Sequence, residues 1–351
     1  MSRAGRWFLQ SGIQEPSGGV ARYYRTDLER NHPVSTEITG YAASALLYLQ
    51  AATGESTYGV RALAAASFLA RSAWDGQALP FEIEPGPEGR LAYFFDCGIV
   101  TRALLAAAAH DPGYHEVAAA MGRAMADDFA GGDGAWHPVL TLPAKRALPY
   151  EPPRWSRTPG CYQLKAALAW WDLFEATGET CFRTLYDRAL DTALRTHGSF
   201  LPGHPDRTKV VDRLHAYLYF LEGLLPRADQ PRCAAVLCGG IQGVEQILRE
   251  TAAEFERSDV YAQLLRIRIY AHSAGAAALD EAAAGREAAM LTAFQAASDD
   301  PRIDGGFFFG RQAGAWLPYV NPVSTAFALE ALELWRQYQN GGALAPARVL
   351  I

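Results

Sequence analysis

The sequence predicts an all-α fold, and three observations carry that prediction. Of 351 residues, 50% are hydrophobic and 20% charged, a balance that sustains a large buried core. Alanine is used far above ordinary frequency, and it loses no side-chain entropy in a helix. Helical periodicity with small apolar residues recurs along nearly the whole chain, while strand-like alternation is confined to short stretches near Phe81 and Phe307.

The elements repeat as a unit: a turn rich in Gly or Asp, an aromatic or proline, a polar loop, an apolar helix, a short break and a second helix. The turns read Ser17-Gly18-Gly19-Val20, Asp75-Gly76 with Phe81 following, Asp133-Gly134-Ala135-Trp136, His197-Gly198-Ser199-Phe200 and Asp304-Gly305-Gly306-Phe307. Glycine accepts the left-handed backbone that closes a helix, and Asp-Gly supports tight turns. The strongly apolar helices are expected at Glu37 to Thr53, Phe95 to His110, Gly160 to Thr177, Asp212 to Leu225, Val260 to Ser273 and Pro322 to Tyr338. These are the candidate inner helices.

Between them lie amphipathic segments at Thr57 to Ser72, Tyr114 to Phe129, Cys181 to Thr196, Pro231 to Glu250 and Asp280 to Ala297, with arginine and acid three or four residues apart. They are expected to form an outer layer, completed by the segment Arg3 to Gln14. Six hairpins in this length leave about 58 residues each, enough for two helices of roughly sixteen residues plus loops. The arithmetic fits an (α/α)6 toroid of six inner and about six outer helices, its ring closed between the N-terminal segment and the last inner helix. One domain is expected over residues 1–340, followed by a tail at 341–351. An open solenoid would show a tighter consensus and polar capping repeats.

Composition excludes several roles. The net charge is −6, and no basic stripe of the kind phosphate backbones require is present, so nucleic acid is not an expected partner. Met1 to Pro16 lacks the apolar core of a secretory signal, and no window reaches the roughly 18 unbroken apolar residues of a membrane span. Five scattered cysteines, Cys97, Cys161, Cys181, Cys233 and Cys238, form no CxxC pair, which fits a reducing, cytoplasmic setting.

In a ring of hairpins the inner helices run the same way, so their leading ends gather around one opening. There the chain offers Glu37 and Tyr41, Asp96 and Cys97, Arg157 with Cys161 and Tyr162, Asp212 with Arg213 and His215, Asp259 with Tyr261, and Asn321 with Ser324. Asp259 and Ser324 are expected to cap their helices, since such side chains satisfy free backbone N–H groups. Glu37 sits in an apolar segment where capping does not require it, and is the stronger functional candidate. Loops leading to the opening are rich in rings, among them Tyr23, Phe81, Trp136, Trp155, Phe307 to Phe309, Trp316 and Tyr319. With Arg22, Arg157 and Arg213 nearby, they suggest a pocket that stacks and grips sugar rings.

At this point the chain resembles the six-hairpin glycosidase-like, or (α/α)6 toroid, superfamily, and it is most similar to bacterial toroid proteins linked with polysaccharide metabolism. The resemblance rests on Gly18-Gly19-Val20-Ala21-Arg22-Tyr23 followed by Glu37-Ile38-Thr39-Gly40-Tyr41, and on Leu214-His215-Ala216-Tyr217 running into Glu222-Gly223-Leu224-Leu225. It implies a carbohydrate-active enzyme that binds an oligosaccharide, with uronic acid among the expected sugars. In hydrolases of this superfamily acting on unsaturated uronyl sugars, two acids stand at the leading ends of successive inner helices, and Glu37 and Asp96 occupy comparable places.

The favoured chemistry is glycoside hydrolysis, with Asp96 or Asp212 working against Glu37. Arg22, Tyr23, Arg157, Tyr162, Arg213, Trp136, Trp316 and Asn321 are the candidate substrate-binding residues. Lyase or epimerase chemistry would instead use His215 or Tyr41 as the base. No cofactor is expected, the alternative being zinc on Cys97, Cys161 and His215, as in toroids of the lanthionine-cyclase or prenyltransferase kind. Asp299-Asp300-Pro301 with Asp304 is a poor diphosphate motif, because proline interrupts the helix that would align the carboxylates. A non-catalytic glycan-binding role is the remaining class.

Overall fold

A computed structural model of the chain describes residues 2–84, 86–201, 207–344, 347 and 350–351. Part of the tail expected at 341–351 therefore lies outside the described residues. Those described hold twelve α-helices, one for each segment expected from the periodicity. They are α1 (Ser2–Gln10), α2 (Thr36–Thr53), α3 (Ser56–Phe68), α4 (Phe94–Ala107), α5 (Gly113–Asp128), α6 (Leu164–Thr177), α7 (Thr180–Thr196), α8 (Arg207–Leu224), α9 (Pro231–Thr251), α10 (Ser258–Ser273), α11 (Glu281–Ala293) and α12 (Pro322–Gln339).

The boundaries differ in physically instructive ways. Helix α3 gives way to a π-turn at Leu69–Ala73, and α6 is entered through a 3-10 turn at Cys161–Gln163. Helix α8 starts at Arg207, five residues before the expected Asp212, because its opening residues Arg207-Thr208-Lys209 are polar and add nothing to the apolar periodicity. Strand pairing is wider than the two expected stretches. Leu91–Tyr93 pairs antiparallel with Val139–Thr141, Phe255–Arg257 with Gly310–Gln312, and Tyr24–Arg25 with Tyr319–Val320. Two- and three-residue strands are too short to leave an alternation in sequence, and the hydrogen bonds of a distant partner make them.

The chain divides into two compact units. One comprises Ile13–Arg22 and Asn31–Gly198. In it α2, α4 and α6 lie side by side, backed by α3, α5 and α7. The three are parallel and nearly in step, since the α-carbon of Gly40 faces Ile99 and Val100 while that of Gly98 abuts Ala166. Alanines such as Ala43, Ala65 and Ala103 fill the seam between inner and outer helices, and this close packing of small side chains accounts for the alanine-rich composition. The hairpin breaks repeat as well. Thr53-Gly54-Glu55 and Thr177-Gly178-Glu179 both use a left-handed glycine, and each threonine hydroxyl donates back one turn, to Leu49 O and Leu173 O.

The other unit comprises Met1–Gly12, Tyr23–Arg30 and Ser199–Ile351. Here α10 packs between α8 and α12, with α9 and α11 outside and α1 against α12. The double-glycine turns explain how α1 comes to serve as an outer helix. Gly18, with φ +96°, has the carbonyl of Ala64 in α3 where a side chain would stand, and Gly305, with φ +86°, has that of Arg3 in α1 in the same place. Each turn thus presses on an outer helix, and only glycine allows both that backbone angle and that approach. Trp7 Nε1 donates to Arg302 O at 2.9 Å, and Arg3 pairs with Asp304, fastening α1 to the second turn.

Candidate active site

The leading ends of α2 and α4 hold two carboxyl groups together. Short backbone bonds set each helix start. Thr36 N donates to Phe81 O and its hydroxyl to Pro80 O, so the first turn of α2 is tied to the loop that follows α3. Phe94 N donates to Pro138 O, and the strand Leu91–Tyr93 runs straight into α4. Segment 20–22 is laid along residues 33–35, Val20 N donating to Thr39 Oγ1 at 2.9 Å and Arg22 N to Pro33 O at 3.1 Å. These bonds bring Glu37, Asp96, Arg22 and Glu82 into one electrostatic cluster.

Asp96 is 4% exposed, and its Oδ2 has no hydrogen-bond partner among the described residues. Burial holds its carboxyl well above the usual carboxylate range, and the nearby Glu37 pushes it further. Glu37 is pushed up to about 7 by burial, against the opposing pull of the Arg22 guanidinium. Two such acids cannot both be ionised at neutral pH, so the pair retains a proton there. Arg22 lies over the Phe81 ring, 5.0 Å from its centroid, and 3.5 Å from Glu82. Beside Arg22 and Glu82 opens a cavity of about 450 Å3 lined by those two residues, Phe81, Tyr93, Arg157, Glu84 and the segment from Gly86 to Arg90.

His215 belongs to the other unit. Its ring Nδ1 lies 2.7 Å from Gln263 Oε1 and 3.4 Å from Asp259 Oδ2. A donor facing an amide oxygen assigns the proton to Nδ1 and makes Nε2 the basic nitrogen. Burial is the main cause that lowers its pKa to about 4. Asp259 is clasped by Arg257 through two hydrogen bonds of 3.0 and 2.7 Å, and the same guanidinium reaches Asp212 at 2.8 Å. Asp212 therefore stands in the His215 cluster, while Glu37 and Asp96 form the other.

The remaining candidates fall in varied places. Tyr41 is buried within α2, and Tyr162 is buried with its hydroxyl donating to Thr158 O at 3.2 Å. Trp136 is a correction to the stacking surface, because it is 3% exposed and packed between Phe94 and Trp170. Trp316 is the open ring, 43% exposed and stacked on Phe308. Tyr23 meets Tyr319 edge to face, and Arg213 donates to Phe200 O at 2.8 Å. Asn321 caps α12, its side chain accepting from Val323 N and Ser324 N, so it replaces Ser324 in that role. Asp259 stands in the first turn of α10 and is held chiefly by Arg257.

Among the described residues no three His, Cys, Asp or Glu side chains group as a metal site. Cys97 is buried, and burial pushes its thiol far up. No described helix is long and apolar enough to cross a membrane. Sequence reasoning missed Glu82, Tyr93, Arg257 and Gln263. Only Gln263 left a signal, standing one helical turn beyond Asp259 and so on the same face.

No family model matches the chain, and no curated protein matches it in sequence. By structure it is similar to a sugar epimerase from a ruminal bacterium, at TM-score 0.70 and 10% identity over 94% of this chain and 95% of that one. D-mannose isomerase is similar at TM-score 0.68 and 10% identity over 95% of each chain. Cellobiose 2-epimerase from Spirochaeta thermophila follows at TM-score 0.67 and 14% identity, over 96% of each. At such identities the likeness shows the fold alone, an (α/α)6 toroid, as the hairpin arithmetic predicted.

Proposed function

We propose that this chain is a carbohydrate-active enzyme and that it hydrolyses a glycosidic bond with Asp96 and Glu37. The observation that carries the reading is the pair of neighbouring carboxyl groups at the first turns of two parallel helices, both raised by burial and both within the field of Arg22, which itself lines the open cavity. Asp96, the more buried, holds its proton and delivers it to the glycosidic oxygen as the bond from the anomeric carbon breaks. Glu37, ionised beside Arg22, takes the proton of the water that attacks that carbon. Arg22 and Arg157 suit a sugar carboxylate, which favours a uronic-acid-containing oligosaccharide.

A second reading is supported by His215. An imidazole held neutral with Nε2 as its basic nitrogen is suited to removing a proton beside a sugar carbonyl, and the structural neighbours include proteins described as sugar epimerase and mannose isomerase. Incubating the protein with uronate-containing and neutral oligosaccharides and weighing the products separates the two. Hydrolysis adds one water and is lost in Glu37→Gln. Isomerisation or epimerisation leaves mass unchanged and is lost in His215→Gln, and that result would overturn the carboxylate reading.

A further inference from the structure

Four arginines line the cavity beside the acid pair, Arg22, Arg90, Arg154 and Arg157, against three glutamates, Glu82, Glu84 and Glu88. Of these arginines only Arg157 is buried, its side chain 9% exposed. A buried guanidinium has to be neutralised and hydrogen-bonded. Arg157 meets that need twice over, and its two partners differ in kind. Glu151, at 3.2 Å, is built into the same local turn, where Arg154 N donates to Glu151 O and Glu151 N to Arg157 O. Glu88 comes from 69 residues earlier, is 54% exposed, and sits in the tight turn closed by Gly89 N donating to Gly86 O.

We propose that Glu88 is an intramolecular stand-in for the ligand: its carboxylate occupies, on Arg157, the place that the carboxylate of an acidic sugar takes. The choice of a sugar rests on the functional reading above, while the occupied arginine rests on geometry alone. An exposed carboxylate gains little by pairing on a protein surface. A free one loses little by leaving, so an incoming carboxylate of the same fork-matching shape replaces it at small cost. Tyr93, which lines the same cavity as Arg157, and Arg22, whose nearest acid Glu82 stands at 3.5 Å, remain to hold the rest of such a ring. The unliganded protein is thus self-occluded, and affinity for acidic sugars is set by competition with Glu88.

Calorimetric titration of D-glucuronate and of D-glucose into the full chain tests this. Removing the competitor in Glu88→Gln is expected to tighten glucuronate about tenfold and to leave glucose within about twofold. Arg157→Lys, which keeps the charge but loses the fork, is expected to cancel that gain when combined with Glu88→Gln. Unchanged or weaker glucuronate binding in Glu88→Gln, an equal shift for both sugars, or no glucuronate binding to either protein overturns the stand-in role. Glu37-dependent cleavage of a neutral oligosaccharide alongside any of those results would leave the proposed hydrolysis standing. Tightened glucuronate binding with cleavage indifferent to Glu37 would do the reverse.

Discussion

At the scale of single residues, the two acids combine an electrostatic cost with the chemical use proposed for them. Glu37 stands at about 7 in the folded chain against an ordinary 4.5. The folded state therefore holds more protons than the unfolded one between those values, and stability declines as pH rises through them. The loss amounts to about 3 kcal/mol. Urea melts of the wild type at pH 5 and pH 8 should show it, and Glu37→Gln should flatten the difference while abolishing turnover. Under the proposed hydrolysis, activity has the opposite dependence on its acid side, because Glu37 would have to be ionised to take a proton. The kcat/KM profile should fall below pH 7, and an acid limb unmoved in Glu37→Gln would remove that residue from the mechanism. For His215, lowered to about 4, the NMR signals of the ring should not titrate between pH 5.5 and 8, whereas an unperturbed imidazole passes through its midpoint near 6.5.

At the scale of elements, strands too short to be read in the sequence aim the helices that carry the candidate residues. Leu91–Tyr93 feeds α4 and Phe255–Arg257 feeds α10, so strand register decides where Asp96 and Asp259 point. The helices themselves were legible because their apolar faces repeat. The clusters were legible only as types of residue at helix starts, since nothing local to His215 names Gln263 and nothing local to Arg157 names Glu88. The glycine turns give an element-level test. Gly305→Ala places a methyl group on the Arg3 carbonyl at positive φ, and should cost about 2 to 3 kcal/mol. Gly76→Ala has φ +91° with open space around it, and should cost only about 1 kcal/mol. Equal destabilisation of the two in chemical denaturation would show that contact with α1 contributes nothing.

At the scale of the whole molecule, a buried ionic node ties three helices of one unit. Arg266, fully buried, pairs with Glu222 of α8 and Glu330 of α12, and Tyr270 donates to Glu330 at 3.2 Å. The 330 carboxylate also accepts from Ile351 N, and Arg266 lies 4.1 Å from the Phe327 ring centroid. Arg266→Ala leaves two acids buried without their cation and should cost about 3 to 5 kcal/mol, read by urea denaturation. A loss below 1 kcal/mol would mean that the node is dispensable.

Glu222 belongs to the motif Glu222-Gly223-Leu224-Leu225, whose likeness to toroid proteins was visible in the bare chain, yet the partner that gives it meaning lies 44 positions away. Periodicity, alanine content and glycine turns are properties of neighbours along the chain, and they sufficed for twelve helices and six hairpins. Which carboxyl is raised, which arginine is already paired and which ring is exposed depend on burial and on groups brought in from distant segments. Dielectric and hydrogen-bonding surroundings exist only once the helices have packed.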